Sequence, residues 1–313
     1  MATRVKFPES ARVEISPQEL APGRFGYVQA ISEALRVQGV GADVEELACA
    51  AALPFTTYAY NPEINKHEDP RRHSWLAEHF SNYGVFESVS YYTGANVMVV
   101  NEIADAEHWD LIRFELSLGR PLISTGWGRA DGPVIITGYR DGERKVVTVW
   151  DGAERDVILS GRPQLDSEVF VNFLVVVRAD ARVQVEDSAR ERMRHGALKW
   201  AVQHGNKWTE FFHESRENYL VGKAGAEFIA NVAKSELEAE EAEWFASHLG
   251  CRIPSLKSAR ALLNWDPSLG DVANELIAAA ELWEKCEYDQ ALERERLALS
   301  ALEMRLSELQ PSS

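Results

Sequence analysis

The fold is decided by the stretch GPVIITGYRDGERKVVTVWD, residues 132–151. Two runs rich in β-branched residues, Pro133 to Tyr139 and Lys145 to Trp150, flank the dipeptide Asp141-Gly142. Asp-Gly between two such runs is a strong hairpin signal, because both residues tolerate the positive φ of a tight turn. The sequence therefore predicts an antiparallel hairpin here.

Other segments before residue 180 predict further strands and helices. Apolar residues with a period of two predict strands at 85–91 and 96–100, and strand-like runs follow at 122–125 and 169–177. The last run is nearly continuously apolar, which predicts a central strand buried on both faces. Helical spacing and caps predict a single turn at Ser16, a helix from Tyr27 to about Gly39, a short helix capped by Asp43, and helices over about 74–82 and 107–118, with a loop over 61–72.

The second part of the chain has a different composition. No β-branched run follows Arg178, and Ala, Glu, Leu, Lys and Arg dominate to the end. Helices are predicted near 188–205, 208–217, 219–235, 237–249, 255–264 and 269–309, the last one broken near Cys286. We therefore predict an α+β fold with two domains: a mixed domain with an antiparallel sheet over 1–180 and an all-α domain over 188–313.

Composition and charge exclude several classes of protein. The 313 residues contain 33 Lys and Arg against 49 Asp and Glu, a net charge of -16. This balance disfavours nucleic acid and anionic lipid as partners, and no apolar run approaches the ~18 residues that span a bilayer. The start MATRVKFPES lacks the apolar core of a secretory signal. We expect a soluble, cytoplasmic protein that binds neither nucleic acid nor membrane.

Two polar clusters are candidates for ligand binding and are interpreted as structural. The histidines His67, His73 and His79 are six residues apart, a spacing that does not place two imidazoles on one helical face, so we predict no metal and no cofactor. Gly222-Lys223-Ala224-Gly225 places a lysine among glycines, but it lacks the preceding strand and glycine of a phosphate-binding loop. A close contact between helices at small residues is predicted there.

The carboxyl-terminal helix has a regular apolar face with two interpretations. Near-heptad spacing places these residues on one side: Tyr288, Leu292, Leu299, Leu302, Leu306 and Leu309. The face either packs within its own domain or forms the seam of a homodimer.

Three segments of the first domain resemble a known family. They are Gly23 to Ile31, Gly119-Arg120-Pro121-Leu122-Ile123, and the hairpin of residues 132–151. Their order resembles papain-like cysteine peptidases of the double-glycine leader-peptidase type and the related butirosin-biosynthesis H-type amino-terminal domains. In those families a cysteine opens the first core helix, and a Gly-Arg-Pro turn, a strand from His to Gly-Tyr and a strand ending in Asp follow. The resemblance implies a papain-like amino-terminal domain.

The chain departs from this family at two of the three catalytic positions. The nucleophile position falls at Gly26 or Tyr27, and Gly132 stands where the family has its histidine. Only Asp151 remains of the triad. The resemblance therefore implies a catalytically degenerate protein that binds a small molecule, a peptide or a carrier-protein partner in the former cleft. The alternative is a biosynthetic acyl or aminoacyl transferase with an unrecognised nucleophile, for which Cys49 is the candidate in the first domain, although its small apolar neighbours favour burial.

Four residues are predicted to line the binding cleft: Tyr27, Trp127, Tyr139 and Asp151. Aromatic residues with polar tips suit a cleft, and a carboxylate at a strand end binds a cationic or hydrogen-bonding group. The structural alternatives are that the aromatic residues form a core and that Asp151 caps the turn at Gly152.

Overall fold

The computed structural model describes residues 7–15, 19–60, 82–100, 105–125, 132–143, 145–158, 174–180, 182–205, 219–237 and 239–308. By their contacts the residues fall into two units. Unit 1 is Met1–Ala21, Gly26–Ala42 and Val89–Gln184, and unit 2 is Pro22–Phe25, Asp43–Ser88 and Val185–Ser313. The grouping assigns 22–25 and 43–88 to the unit that contains the carboxyl-terminal half, whereas the sequence places both in the domain 1–180. The domain limits 180 and 188 stay a prediction.

Unit 1 contains a seven-stranded sheet in which every pair is antiparallel. Its strands are β1 (Ser10–Arg12), β3 (Asn96–Val100), β4 (Leu122–Thr125), β5 (Pro133–Arg140), β6 (Lys145–Val149), β7 (Glu154–Ile158) and β8 (Leu174–Arg178). Their order is β3-β8-β4-β5-β6-β7, and β1 pairs with the part of β5 beyond its contact with β4. The antiparallel sheet in a mixed α and β chain is confirmed.

The predicted hairpin is β5 and β6. Ile135 pairs with Val149 at one end and Arg140 with Lys145 at the other, with an irregularity in β5 between Ile136 and Gly138. Gly138 relieves crowding there, because an added Cβ would lie 3.0 Å from the carbonyl oxygen of Ala11 in the preceding part of the chain, closer than most Cβ contacts. The register of the hairpin therefore determines which residues of β5 and which residues of β6 lie at the same end of the sheet.

Unit 1 also contains all or part of three helices: α1 (Gly23–Val37), α3 (Asn82–Thr93) and α4 (Asp105–Ser117). The part of α1 from Gly26 onward and the part of α3 from Val89 onward belong to this unit. Trp109, Ile112 and Leu116, one stripe of α4, pack in one core with Leu122 and Val134 of the sheet. The helix predicted over 107–118 is confirmed by α4.

The strand predicted over 85–91 is wrong, because these residues lie in α3. Val85, Val89 and Tyr92 are buried, a spacing of four and three that belongs to a helix. The run Val85 to Val89 is too short to separate the two periods. The segments 16–18, 61–72, 74–81, 169–173 and 208–217, for which other elements are predicted, lie outside the described residues.

Unit 2 is mainly helical. Its helices are α2 (Val44–Ala50), α5 (Asp187–Gly205), α6 (Lys223–Ala233), α7 (Ala239–Lys257), α8 (Leu262–Trp265), α9 (Gly270–Glu284) and α10 (Tyr288–Glu308), and β2 (Tyr58–Tyr60) pairs with β9 (Tyr219–Val221). Asp43 caps α2 as predicted, since its Oδ1 accepts the amides of Glu45 and Glu46. In the described part of the chain no helix is long and apolar enough to cross a membrane.

Three helices in this unit differ from their predicted limits. The helix predicted over 255–264 is divided, because residues 255–257 belong to α7 and α8 begins only at Leu262. The helix predicted over 219–235 starts only at Lys223, because Tyr219–Val221 forms a strand and Gly222 adopts φ 60° and ψ -127°, a conformation open mainly to glycine. The helix predicted to end at 249 continues through Gly250 and Pro254 to Lys257. A Cβ on Gly250 would lie 2.8 Å from Pro22 Cγ, so the glycine at this position in α7 allows Pro22 to pack closely against the helix.

The predicted break near Cys286 is confirmed. The amide of Cys286 donates to the carbonyl of Trp283, and the amide of Glu287 donates to that of Leu282. This is the Schellman pattern of a helix end, with Cys286 at φ 60° in the left-handed position that usually carries glycine.

The apolar face of α10 packs within unit 2. Leu302 and Leu306 are buried in the core that surrounds Trp283, and Leu292 and Leu299 pack against it. This packing fits the first interpretation of the heptad-like face, and the homodimer stays a prediction. Leu309 lies outside the described residues.

Candidate functional site

The nucleophile position lies where α1, the segment before it and the β5–β6 hairpin meet. We call this place the helix–hairpin corner and define it as Glu19–Ala21, Gly26, Pro133 and Trp150–Asp151, all within unit 1. The amide of Leu20 donates to the carbonyl of Trp150 at 2.7 Å, and Glu19 forms an isolated bridge with Asp151. The chain before α1 is thereby attached to the end of β6.

Gly26 has no room for a side chain. A Cβ built on it would lie 1.9 Å from the carbonyl oxygen of Ala21 and 3.0 Å from Pro133 Cδ. Real Cβ atoms do not approach a carbonyl oxygen so closely, so alanine, and equally cysteine, requires the backbone to move. The next residue, Tyr27, is completely buried. Neither residue provides a nucleophile.

The histidine position is also close to this corner. Gly132 is buried and directly precedes Pro133, the first residue of β5. Pro133 is the residue whose ring lies next to Gly26. The structure thus places Gly26 and Gly132, the positions that the resemblance assigns to the nucleophile and the base, on either side of Pro133.

Asp151 lies at the same corner with its carboxylate already paired. Its side chain is 33% exposed and forms a salt bridge with Arg155, and its Oδ1 accepts the amide of Ala153 at 3.3 Å. The hydrogen bond from Arg155 holds the pKa of Asp151 below its usual range. The bond to Ala153, across Gly152 at φ 78°, agrees with the capping alternative. The Arg155 guanidinium also lies 5.1 Å from the ring centre of Trp150.

Tyr139 is not part of this corner. It pairs with Val146 near the turn of the hairpin, six residues along β5 from Pro133 and thus roughly 20 Å away. Its hydroxyl donates to the carbonyl of Pro8 at 2.9 Å, and burial raises the pKa of its phenol. The expectation that Tyr139 flanks Asp151 fails because the two lie at opposite ends of the hairpin. Trp127 lies outside the described residues.

Cys49 is located in a place that suppresses thiolate chemistry. It is 1% exposed in unit 2, and its Sγ donates to the carbonyl of Ser258 at 3.1 Å. Burial raises the pKa of the thiol far above its ordinary value, and the acidic residues Glu45 and Glu46 raise it further. Cys251 is buried and Cys286 exposed, and neither is in a disulfide. The surroundings of Cys49 give the transferase alternative no support.

Two buried arginines in unit 2 were missed by the sequence analysis. Arg24 donates to Oγ1 and to the carbonyl oxygen of Thr56, both at 3.0 Å. Arg252 donates to the same carbonyl at 3.2 Å, to the carbonyl of Leu53 at 3.3 Å and to Glu295 at 2.5 Å. A signal for Arg252 was available, since it lies seven residues after buried Phe245 and four before buried Leu256 on α7.

No metal centre is found in the ranges that the structure describes, where no three His, Cys, Asp or Glu side chains group suitably for an ion. His67, His73 and His79 lie outside those ranges. Comparison with known proteins finds no matching family model, no matching curated protein and no matching solved structure.

Proposed function

We propose that the chain is a non-catalytic relative of the papain-like cysteine peptidases, which binds a small molecule, a peptide or a carrier-protein partner at the helix–hairpin corner. One observation carries the proposal: the backbone of Ala21 occupies the space that a side chain at Gly26 would need. Nucleophilic catalysis of this type requires a thiolate at the start of the helix and a base beside it. Gly26 and Gly132 provide neither.

The remaining chemistry of the corner is suited to binding. Asp151 presents a partly exposed carboxylate, and Arg155 presents an exposed guanidinium beside the ring of Trp150. A ligand with a cationic or hydrogen-bonding group binds Asp151 by replacing Arg155, and the released guanidinium then pairs with an anionic group. Peptides and amino-acyl groups on carrier proteins contain such donors and acceptors, so we propose both as classes of ligand.

Two measurements test the proposal together. First, the full chain is incubated with peptide and thioester substrates, and we expect no hydrolysis or transfer. Turnover that is lost in Cys49→Ala contradicts the proposal and establishes the transferase alternative.

Second, thermal midpoints are measured with candidate peptides, metabolites and acyl-carrier proteins for the wild type, Asp151→Asn and Asp156→Asn. Asp156 is the matched control, because it is likewise an exposed aspartate paired with an arginine, Arg140 at 3.4 Å. We expect a ligand-induced shift that Asp151→Asn reduces and Asp156→Asn retains. A hydrogen bond to a charged group contributes about 1.5–3 kcal/mol, so binding should weaken by roughly ten- to a hundredfold. Equal shifts in all three proteins remove Asp151 from the site.

We also propose the cytoplasm as the location of the protein. The three cysteines carry free thiols, which is typical of reducing compartments.

A further inference from the structure

The first amides of α6 have no acceptor among the residues that the structure describes. The amide of Gly222 donates to the carbonyl of Thr57 at 2.8 Å, and the first bond within the helix runs from the amide of Ala226 to the carbonyl of Gly222. No described side chain caps this end, and the amides of residues 223–225 find no acceptor among the described residues. The amino terminus of an 11-residue helix carries a partial positive charge and attracts anions.

A second, independent observation is the buried hydroxyl of Thr57. Thr57 is 2% exposed, and its Oγ1 has no hydrogen-bond partner in the described structure. The antiparallel register that pairs Tyr58 with Val221 places Thr57 directly opposite Gly222. Thr57 therefore lies next to the residue that precedes α6, at a position where Gly222 contributes no side chain. A buried hydroxyl without a partner is unfavourable, and an acceptor bound at this end of α6 would remove that cost.

The loop that carries Thr57 is held rigidly. Arg24 and Arg252 both donate to the carbonyl of Thr56, the residue before it. Ala52, four residues earlier, adopts φ 56°, which a non-glycine residue keeps only where its surroundings enforce it. The backbone that carries the Thr57 hydroxyl is therefore held in place next to Gly222, the residue before α6.

Lys223 adds a mobile positive charge at the same place. Its Nζ lies 3.6 Å from Oε1 of Glu227, and both side chains are about half exposed. Exposed pairs of this kind contribute little, so the ammonium exchanges readily to another anion. Of the two features of a phosphate-binding loop that the sequence lacked here, the preceding strand is present, since β9 directly precedes Gly222, and the preceding glycine is still absent.

We propose that the amides of residues 223–225, the Lys223 ammonium and the Thr57 hydroxyl bind a phosphate group, either as inorganic phosphate or as the phosphoryl group of a small metabolite. A tetrahedral oxyanion accepts several hydrogen bonds at once, which matches the amides of residues 223–225 and the Thr57 hydroxyl, donors that the described residues leave without acceptors. The Lys223 ammonium, whose pair with Glu227 is exposed, adds a positive charge beside them. The site lies in unit 2 and goes beyond the proposed function, which concerns unit 1.

The test is titration of the full chain with inorganic phosphate, followed by calorimetry and thermal midpoints, with potassium chloride of matched ionic strength as the reference. We expect a saturable rise of the midpoint with phosphate. Thr57→Val should raise the midpoint of the phosphate-free protein, because it removes an unpaired buried hydroxyl, and weaken phosphate binding about tenfold. Thr57→Ser should retain binding.

Lysine variants separate the site from general charge effects. Lys223→Gln should weaken phosphate binding by about tenfold, whereas Lys234→Gln, at the carboxyl end of the same helix, should leave it unchanged. No saturable rise in the wild type overturns the proposal, and so does unchanged affinity in both Thr57→Val and Lys223→Gln.

A further titration distinguishes the two sources of phosphate. Glycerol 3-phosphate is compared with inorganic phosphate and with glycerol. Tighter binding of the monoester identifies a phosphorylated metabolite, and equal affinity identifies free phosphate as the ligand. Binding of glycerol as strong as that of its phosphate overturns the proposal.

Discussion

Substitution of Gly26 by alanine tests the structural basis of the proposed loss of catalysis. Gly26 lies inside α1, where alanine is favoured over glycine by about 1 kcal/mol. The added Cβ, however, would lie 1.9 Å from the carbonyl oxygen of Ala21, which would have to retreat by about 1.5 Å. The bond between Leu20 and Trp150 resists this movement. Overpacking of a rigid site costs about 1–3 kcal/mol, and more where the backbone must shift.

We therefore expect Gly26→Ala to lower the free energy of unfolding by about 2–3 kcal/mol in spite of its helix propensity. For a chain of 313 residues the corresponding fall of the thermal midpoint is roughly 3–5 °C. Chemical denaturation and differential scanning calorimetry measure both quantities.

Gly196→Ala is the matched control for this experiment. Gly196 also lies inside a helix, α5, it is exposed, and its added Cβ meets no atom within 4 Å. This variant should be more stable than the wild type by about 0.5–1 kcal/mol. If Gly26→Ala is as stable as Gly196→Ala, the space at Gly26 is open and the argument against a nucleophile there is refuted.

Three further predictions concern single side chains. Cys286→Gly should stabilise the protein by about 1 kcal/mol, because glycine favours the left-handed conformation at the end of α9. The reverse change at the end of α4, Gly119→Cys at φ 74°, should destabilise the protein by about the same amount, and urea unfolding measures both changes. Iodoacetamide should label Cys286 in the native protein but Cys49 only after unfolding, as peptide mass mapping will show, and rapid native labelling of Cys49 would contradict its burial. The pKa of Asp151, followed by NMR, should lie below its value in the unfolded chain and should rise in Arg155→Gln; an unchanged pKa in the variant would remove Arg155 as the cause. The pair therefore stabilises the fold fully above about pH 4, and this contribution is lost as the pH falls through the lowered native pKa.

Local chemistry explains which parts of the fold were predictable. The Asp141-Gly142 turn, the Asp43 cap and the helix end at Cys286 depend on neighbouring residues, and the structure contains all three. The strand Tyr219–Val221 depends on pairing with Tyr58–Tyr60, about 160 residues earlier in the chain, so its own three residues do not reveal it. Tertiary partners decide such short segments.

The candidate site was predictable only in part for the same reason. The resemblance matched Gly26 and Gly132 to catalytic positions, and the structure indeed brings their neighbourhoods together at Pro133. The contact between Gly26 and the Ala21 carbonyl depends on the path of the chain before α1, which no local pattern encodes. The separation of Tyr139 from Asp151 was foreseeable from the sequence. Tyr139 directly precedes the turn at Asp141, whereas Asp151 follows the far end of the returning strand β6.

The two glycine positions on which the proposals rest have opposite consequences for chemistry. At Gly26 the backbone of Ala21 fills the space of the absent side chain, so a cysteine placed there would displace the chain and would still lack a base, since Gly132 holds that position. Building the triad that the resemblance implies would therefore require more than two substitutions. At Gly222 the backbone conformation starts a helix whose first amides lack acceptors in the described structure, so the absent side chain leaves donors available. Because the positions lie in different units, failure of binding at the helix–hairpin corner would leave the phosphate proposal intact, and the converse also holds.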